Sequence, residues 1–443
     1  MTPTAQARVL ILARDDAATG SLAEGLDRLA WRTVTARDEA AARAALADLQ
    51  IQAVIVDLSS PVSHTAGLAQ RLREACSPRR LPVLAITSPG QTSMGLGFDL
   101  MMAGPLHPAQ AALRLEALIR TAVAEEEFEV RQETFAAHGH RLDPVRADPA
   151  PLRILAVGEP APRFLALSNA LSARGADVVG AFTAFTAFDY LHEKPFDSVV
   201  LWSDEAPQEA LSIAAGLRRN TRLYHTPAIL CLDEAGGITA SDAFNRGVSD
   251  VTMAGTSEDE TAVRVLELAR AHRRQKSIRA ALEQARGSGL MDAATGLFTR
   301  DLFAGHVRRL AYSARERNRP LSLCMLRLSD SPDLKAPRAD GWVARAVPQI
   351  GAMIARLVRV EDTAARLAPE VFALALPATP LISARAAGER IAAVIGCTAF
   401  EAGQGAAPFV AEFDLGVAEV RSPDSLGQAL EQAAAMSQSL TAS

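Results

Sequence analysis

The sequence predicts an α/β protein that begins with two doubly wound domains and continues into a further C-terminal domain. Its 443 residues, of which 49% are apolar and 22% charged, suffice for about three domains with large cores. The first two thirds of the chain repeat one plan with a period of about 145 residues, in which short apolar strands alternate with helical patterns. Near-continuous apolar strands separated by helices are typical of a parallel sheet that helices cover on both faces.

Corresponding strands can be paired between the two copies. The pairs are Ala7–Leu12 with Leu152–Val157, Ala53–Val56 with Ser198–Leu201, and Leu81–Ile86 with Pro227–Leu232. We therefore expect the first doubly wound domain to span 1–137 and the second to span 152–274. The segment between them, 138–151, is rich in proline and charge, which predicts a linker that can act as a hinge.

The last helix of the second copy begins near Glu258, and its pattern continues beyond the predicted domain boundary. Apolar residues recur at helical spacing through Val263, Leu266 and Ala269. We expect a connecting helix and linker over 275–290, broken at the glycines of 287–289. The remaining residues, 291–443, then form the third domain.

The composition argues against several classes of protein. A net charge of −5 gives no bulk attraction to nucleic acid or anionic lipid. The cysteines at 76, 231, 324 and 397 lie far apart without paired spacing, so we expect free thiols and neither disulfides nor a metal site. No apolar run approaches the roughly 18 residues of a membrane span, and no secretion signal opens the chain. We expect a cytoplasmic protein with no membrane insertion, no nucleic-acid partner and no cofactor.

Both copies resemble the CheY-like receiver domains of response regulators. The resemblance implies an acidic pair that holds Mg²⁺, an aspartate phosphoacceptor at a strand end, a Thr or Ser, and a Lys. The first copy has Asp57 and Thr87 at the expected strand ends, but Ala13 and Arg14 replace the acidic pair. Phosphoryl transfer to a carboxylate depends on that cation.

Asp57 is therefore a candidate phosphoacceptor with an incomplete site. A shifted register that uses Asp15 and Asp16 would restore the acids. The interpretation that we prefer is that Asp57 accepts hydrogen bonds at its strand end.

The second copy has lost the receiver chemistry altogether. Trp202 stands at the phosphoacceptor position, Leu232 replaces the hydroxyl residue and Ala254 replaces the lysine. An indole cannot replace a carboxylate nucleophile. The resemblance implies that such a receiver serves as an adaptor, for dimerisation or for binding a partner.

The last part of the chain, 291–443, resembles the GGDEF family of diguanylate cyclases. Asp292–Phe303 is similar to the family's opening motif, and Arg359–Asp362 matches its R-x-x-D pattern. The resemblance implies a nucleotidyl-cyclase-like α/β fold. With the two copies before it, the chain resembles the PleD group of receiver–receiver–GGDEF response regulators.

The signature positions of that family are degenerate. They carry Ala368, Pro369, Glu370, Val371 and Phe372. The family uses two glycines there, for positive φ and for close approach of the backbone to the nucleotide, but Ala368 has a Cβ atom and Pro369 lacks an N–H. Arg327 stands where the family has its first metal carboxylate, and a guanidinium does not ligate a cation. We therefore expect no cyclase activity.

The R-x-x-D pattern implies the cyclic di-GMP inhibitory site of the family. Arg359 would contact the O6/N7 edge of a guanine, and Asp362 would accept from the opposite N–H edge. Arg390 resembles a further arginine of that site, which stacks on a guanine or pairs with a phosphate. The alternative is a surface ion pair between Arg359 and Asp362, one helical turn apart.

These patterns give one main hypothesis and two alternatives. The main one is a cyclic di-GMP-binding effector that forms a homodimer. The resemblance implies that it acts at a cell pole, where a proteolytic adaptor helps to deliver a cell-cycle regulator to the ClpXP protease. The alternatives are a phosphorylation-regulated diguanylate cyclase with weak activity and a scaffold that binds no ligand.

Overall fold

The fold is taken from a computed structural model. It describes residues 7–59, 66–88, 97–104, 106–144, 148–202, 207–220, 222–232, 238–283, 288–403 and 406–439. Within these ranges, none of the helices combines the length and the apolar character that a membrane span requires. Gly287, at the predicted break after the connecting helix, lies outside the described residues.

The first domain is a doubly wound parallel sheet, as predicted. Its elements are β1 (Arg8–Leu12), α1 (Asp16–Arg28), β2 (Arg32–Ala36), α2 (Glu39–Asp48), β3 (Ile51–Asp57), α3 (Leu68–Glu74), β4 (Val83–Thr87), β5 (Leu100–Ala103) and α4 (Pro108–Ala137). The strand order β2-β1-β3-β4-β5 is one of the two common doubly wound orders. Within β1, Val9 and Ile11 pack on one face of the sheet while Leu10 and Leu12 pack on the other. Burial on both faces explains why the strand is apolar throughout.

The second domain repeats this topology. Its elements are β6 (Arg153–Val157), α5 (Pro162–Ala173), β7 (Asp177–Ala181), α6 (Ala184–Glu193), β8 (Ser198–Trp202), α7 (Pro207–Arg219), β9 (Ala228–Cys231), α8 (Ala240–Asn245), β10 (Asp250–Thr252) and α9 (Glu258–Glu283). The order β7-β6-β8-β9-β10 is equivalent to that of the first sheet, and the strands are parallel. The internal repeat is confirmed. Helix α9 continues without a break across the predicted boundary at 274.

The third domain is built on an antiparallel sheet with the order β12-β13-β11-β16. Its elements are α10 (Arg300–Glu316), β11 (Leu321–Leu328), α11 (Pro332–Ala339), α12 (Trp342–Leu357), β12 (Thr363–Ala368), β13 (Val371–Pro377), α13 (Leu381–Gly396), β14 (Ala399–Phe400), β15 (Phe409–Val410), β16 (Phe413–Glu419) and α14 (Leu426–Ser439). One face of the sheet packs on α10 and α14, and the other packs on α12 and α13. The predicted fold class is confirmed in all three domains.

Helix α4 belongs to two domains at once, which the sequence did not indicate. Ala111 and Leu115, in its first half, pack beneath the first sheet. Phe128 and Phe135, in its second half, lie in the core of the third domain. Leu142, within the segment predicted as a linker, is buried in that same core. The described start of the linker is therefore anchored to the third domain.

The same helix contacts the second domain through a buried ion pair. The Asp250 carboxylate, at the start of β10, accepts hydrogen bonds from Arg114 of α4 and from Arg264 of α9. All three side chains are almost fully buried. Desolvation opposes ionisation of Asp250, but the two guanidinium groups prevail and lower its pKa. A buried charge needs such partners, so this contact fixes where the two parallel-sheet domains meet.

Candidate functional site

The R-x-x-D residues form a tight turn between α12, which ends at Leu357, and β12, which begins at Thr363. The backbone N–H of Arg359 donates to Asp362 Oδ2 at 3.0 Å, and the N–H of Asp362 donates to the Arg359 carbonyl at 3.2 Å. The segment is not helical, so the alternative of an ion pair spaced by one helical turn is wrong. The carboxylate closes the turn by binding the backbone N–H.

Burial makes the acidic side of this turn unusual. Asp362 is only 8% exposed, and among the described residues its Oδ1 has no hydrogen-bond partner. Desolvation raises the pKa of Asp362, although Arg359 acts in the opposite direction. Desolvation and the neighbouring Asp362 raise the pKa of the buried Glu361 to about 7. The turn therefore contains a buried carboxylate oxygen, Asp362 Oδ1, to which none of the described residues donates a hydrogen bond.

Arg390 reaches this turn from α13. Its Nη2 donates to the carbonyl of Leu357 at 3.5 Å, two residues before Arg359. The structure therefore brings the three predicted ligand-binding residues, Arg359, Asp362 and Arg390, to the end of α12.

The second domain covers part of the site. Tyr224, in the loop between α7 and β9, accepts a hydrogen bond from Arg390 Nη1, and the guanidinium carbon lies 5.0 Å from its ring centroid. His225 Nε2 lies 3.2 Å from the Arg356 carbonyl, and burial lowers the pKa of His225 to about 3, so the ring is neutral. Sequence reasoning missed Tyr224, because only the packing of two domains brings it to Arg390.

A cavity of about 260 Å³ lies beside the turn. Its lining includes the guanidinium-bearing Arg131, Arg279, Arg356 and Arg359, together with Asp362. Arg279 Nη2 donates to the Val358 carbonyl at 3.0 Å. This volume is at or below the roughly 300–1,000 Å³ of typical ligand pockets. A dinucleotide would therefore require the covering loop or helix to move.

At the opposite end of β12 lies the hairpin of residues 368–372, which the sequence analysis aligned with the family signature. Ala368 pairs with Val371, so Pro369 and Glu370 form the turn, while Phe372 is buried in the core. Among the described residues, non-glycine positive φ values occur at Ala30, Asn318 and Ala378 and hence not in this turn. The hairpin closes without the conformation that glycines provide.

Glu370, the retained signature acid, is bound within the protein. Arg338 of α11 donates to both of its carboxylate oxygens, with Nε to Oε1 at 3.1 Å and Nη2 to Oε2 at 2.9 Å. Arg338 also donates to the carbonyl of Ser329 at 3.1 Å. The sequence analysis missed Arg338; its position 32 residues before Glu370 carries no local signal.

Arg327, which the sequence analysis aligned with a metal carboxylate of the GGDEF family, lies at the end of β11. Its guanidinium lies 3.4 Å from Asp330 and 3.8 Å from Asp414. Burial raises the pKa of Asp414. Two guanidinium groups, of Arg327 and Arg338, therefore face the acids of this region. No group of three or more potential metal ligands is found in the parts of the chain that the structure describes.

The predicted receiver positions lie at their strand ends. Asp57 is 5% exposed, and its Oδ1 accepts from the N–H of Ser59 at 2.9 Å and from the hydroxyl at 2.6 Å. Thr87 Oγ1 donates to the Met102 carbonyl at 3.5 Å. The side chain of Asp16, named for the shifted register, lies outside the described residues.

In the second domain an aromatic side chain fills the equivalent place. The Trp202 ring packs 4.7 Å from the ring of Phe164. A Cβ on Gly158 would approach Trp202 Cβ to 2.9 Å, so glycine is required beneath the indole. At this strand end the described residues show aromatic packing at the position that corresponds to Asp57.

Residues 289–441 match the family described as diguanylate cyclase, GGDEF domain. No curated protein matches the sequence. Among solved structures, the FimX GGDEF domain from Pseudomonas aeruginosa is 20% identical, covers 34% of this chain and 94% of its own, and has a TM-score of 0.31. The GGDEF domain of DgcB from Caulobacter crescentus, in complex with c-di-GMP, is 19% identical, covers 33% and 84%, and has a TM-score of 0.31.

A response regulator from Chloroflexus aurantiacus is 15% identical, covers 27% of this chain and 98% of its own, and has a TM-score of 0.25. Each of these likenesses covers a part of the chain. The strand order identifies the fold of the two parallel-sheet domains, and the family match identifies the third domain. The low TM-scores support neither assignment. The chain therefore consists of two parallel-sheet domains with the doubly wound strand order, which is the fold of receiver domains, followed by a GGDEF domain at residues 289–441.

Proposed function

We propose that this protein is a cyclic di-GMP-binding effector whose GGDEF domain has no cyclase activity. The observation that carries the proposal is a contrast within one domain. Glu370, the retained signature acid, is held in a bidentate ion pair by Arg338, whereas Arg359, Asp362 and Arg390 converge at the end of α12.

The lack of activity follows from the charges at the signature. A cyclase needs Mg²⁺ to neutralise the phosphates of two GTP molecules. Arg327 and Arg338 bring two permanent positive charges to the region where that cation would be held, and their partners include Glu370 and Asp414. A divalent cation that binds Glu370 would have to displace Arg338, and it would face the positive charge of Arg327.

Ligand binding follows from the groups that remain at the turn. The planar guanidinium of Arg359 matches the two acceptors on the major-groove edge of guanine. Asp362 Oδ1 is a buried acceptor without a donor among the described residues, and a guanine N–H would supply one. Arg390 already stacks on an aromatic ring, that of Tyr224, and a guanine offers the same kind of surface.

Because Tyr224 covers Arg390, ligand binding should begin with a movement of the second domain relative to the third. The bound ligand would take the place of Tyr224 on the guanidinium. This exchange would change which surface of the second domain is exposed. The ligand-bound protein would therefore differ at its surface from the free protein.

Calorimetric titration of the full-length protein with cyclic di-GMP tests the proposed site. Arg359→Ala should weaken binding by about 1–3 kcal/mol, because the guanine edge loses a bidentate partner. Arg308→Ala, which removes an exposed arginine of α10, is the matched control and should bind as wild type. Equal affinity of wild type and Arg359→Ala would rule out this pocket.

Incubation with GTP and Mg²⁺ tests the alternative of a weakly active cyclase regulated through Asp57. We expect no cyclic di-GMP to form. Product that disappears in Glu370→Ala would overturn the proposal of an inactive domain.

The finer proposals come from the resemblance to the PleD group, and within it to PopA, a catalytically silent member. On that basis we propose a cytoplasmic homodimer concentrated at a cell pole, with a proteolytic adaptor and a cell-cycle regulator destined for ClpXP as partners. Fluorescence microscopy of the tagged protein tests the location. A polar focus in wild type that persists unchanged in Arg359→Ala would separate location from ligand binding.

A further inference from the structure

The second half of helix α4 reaches the R-x-x-D turn from outside the GGDEF domain. Arg131 of this helix is 1% exposed. Its Nη2 donates to the carbonyls of Val360 and Asp362, both at 2.9 Å, and to Thr363 Oγ1 at 3.2 Å. One guanidinium thus binds two carbonyls of the turn and the first side chain of β12.

A buried cluster of polar groups holds Arg131 in place. Glu127, one turn earlier on α4, accepts from Arg131 Nε and from Thr363 Oγ1, the latter at 3.0 Å. His306 of α10 has Nε2 3.0 Å from Glu127 Oε1, and its Nδ1 lies 3.1 Å from Thr134 Oγ1. Burial lowers the pKa of His306, so the cluster has one positive and one negative charge.

Such a buried cluster contributes little to the free energy of folding by itself. Removing two charges from water has a desolvation cost that their attraction does not reliably recover. What the cluster does provide is geometric specificity, because a planar guanidinium with fixed donors accepts few arrangements of its carbonyl partners. Those partners belong to the backbone on both sides of Glu361, within the R-x-x-D turn itself.

We infer that Arg131 is a positioning residue of the ligand site, and that helix α4 thereby couples occupancy of the R-x-x-D turn to the first receiver domain. This inference rests on the proposed binding of cyclic di-GMP. Such a coupling is reciprocal. If a shift of α4 changes the affinity for the ligand, then ligand binding changes the equilibrium between the positions of α4 by the same factor.

Arg114 offers a matched control on the same helix. It is an equally buried arginine that pairs with a carboxylate, Asp250, but it contacts the second domain and not the turn. Along the helix axis the two arginines are about 25 Å apart. Substitution of either one removes a buried ion pair, and only one of them touches the ligand site.

Calorimetry of full-length variants with cyclic di-GMP tests the inference. Arg131→Gln should weaken binding by about 5- to 150-fold. Arg131→Lys should give an intermediate affinity, because an ammonium can still donate to the carbonyls. Arg114→Gln should weaken binding less than Arg131→Gln does, because Arg114 does not contact the turn. An unchanged affinity in Arg131→Gln would overturn the inference.

A second measurement does not depend on whether Arg131→Gln folds. In wild type, cyclic di-GMP should slow hydrogen exchange of the α4 amides from residue 124 to residue 135, and unchanged exchange there would overturn the coupling. The double variant Glu127→Gln with Arg131→Gln leaves no unpaired buried charge and should show the weakened binding without this protection.

The two proposals can fail separately. If wild type binds no cyclic di-GMP, the proposed function and this inference are both overturned. If wild type binds and the Arg131 variants bind equally well, only this inference is overturned.

Discussion

The two ends of strand β12 differ in how their charged groups are used. At its start, the R-x-x-D turn has a buried carboxylate oxygen for which the described residues provide no donor. Beside the turn lies Arg390 of α13, which is covered by Tyr224 of another domain. At its end, Glu370 is bound on both oxygens by Arg338 of the same domain. The six residues of β12 separate the two regions. At the R-x-x-D turn the polar groups can exchange their present partners for those of a ligand, as a binding site requires. At the hairpin the acid Glu370 is already paired within its own domain.

Substitution of Asp362, whose Oδ1 has no hydrogen-bond donor among the described residues, should have the largest effect on this comparison. Asp362→Asn keeps the size of the side chain but replaces an acceptor with a donor, and should weaken cyclic di-GMP binding by about 1–3 kcal/mol. Calorimetry measures the loss. Asp340→Asn, at an exposed aspartate of the same domain, should bind normally. If the two variants bind equally well, the turn is not the ligand site.

The buried acid beside it should make the stability of this end of β12 depend on pH. The folded protein binds a proton at Glu361 more tightly than the unfolded chain does, because the pKa is raised from 4.5 to about 7. The free energy of unfolding should therefore fall as pH rises through this window. Glu361→Gln should reduce this dependence by the contribution of Glu361, with a relative gain on the order of 1 kcal/mol at high pH, while the contribution of Glu267 remains.

Urea unfolding at several pH values measures that difference. Glu267, whose pKa is also raised to about 7 by burial, lies away from the turn, so Glu267→Gln is the matched comparison. Curves for wild type and Glu361→Gln that stay parallel from pH 5 to pH 8 would contradict the assignment to Glu361.

Removal of the covering ring should tighten binding. Tyr224→Ala frees Arg390 from a cation–π contact worth about 0.5–1 kcal/mol at an exposed site, so the affinity for cyclic di-GMP should rise a few-fold, by about that free energy. Tyr312→Ala, at an exposed tyrosine of α10, should leave it unchanged. Weaker binding in Tyr224→Ala would mean that the tyrosine belongs to the bound site and is not displaced.

The smallest effect is expected at the signature hairpin. Arg338 and Glu370 are each more than a quarter exposed, so Arg338→Ala should lower the free energy of unfolding by about 0–1 kcal/mol. It should not produce cyclase activity, because Arg327 keeps a positive charge at the strand end. Thermal unfolding and a GTP assay check both statements. Turnover in Arg338→Ala would show that one ion pair alone silences the domain.

Sequence patterns predicted the parallel-sheet domains well, because their strands are buried on both faces and read as continuous apolar runs. They also singled out Arg359, Asp362 and Arg390, which the structure brings together at the end of α12, although one alternative placed Arg359 and Asp362 one helical turn apart. Arg131, Arg338 and Tyr224 were not found. Each of them is distant in the chain from its partner: Arg131 is 229 residues from Val360, and Tyr224 is 166 residues from Arg390.

What the sequence by itself determined is local: the periodicity of strands and helices, the loss of glycines at the signature, and the spacing of Arg359 and Asp362. Tertiary structure alone decided which charges meet. Helix α4 continues into the third domain and carries Arg131 to the turn, and packing of the second domain on the third brings Tyr224 to Arg390. The physical reason is that hydrogen bonds and ion pairs depend on distance in space, which hydrophobic periodicity does not encode between remote segments.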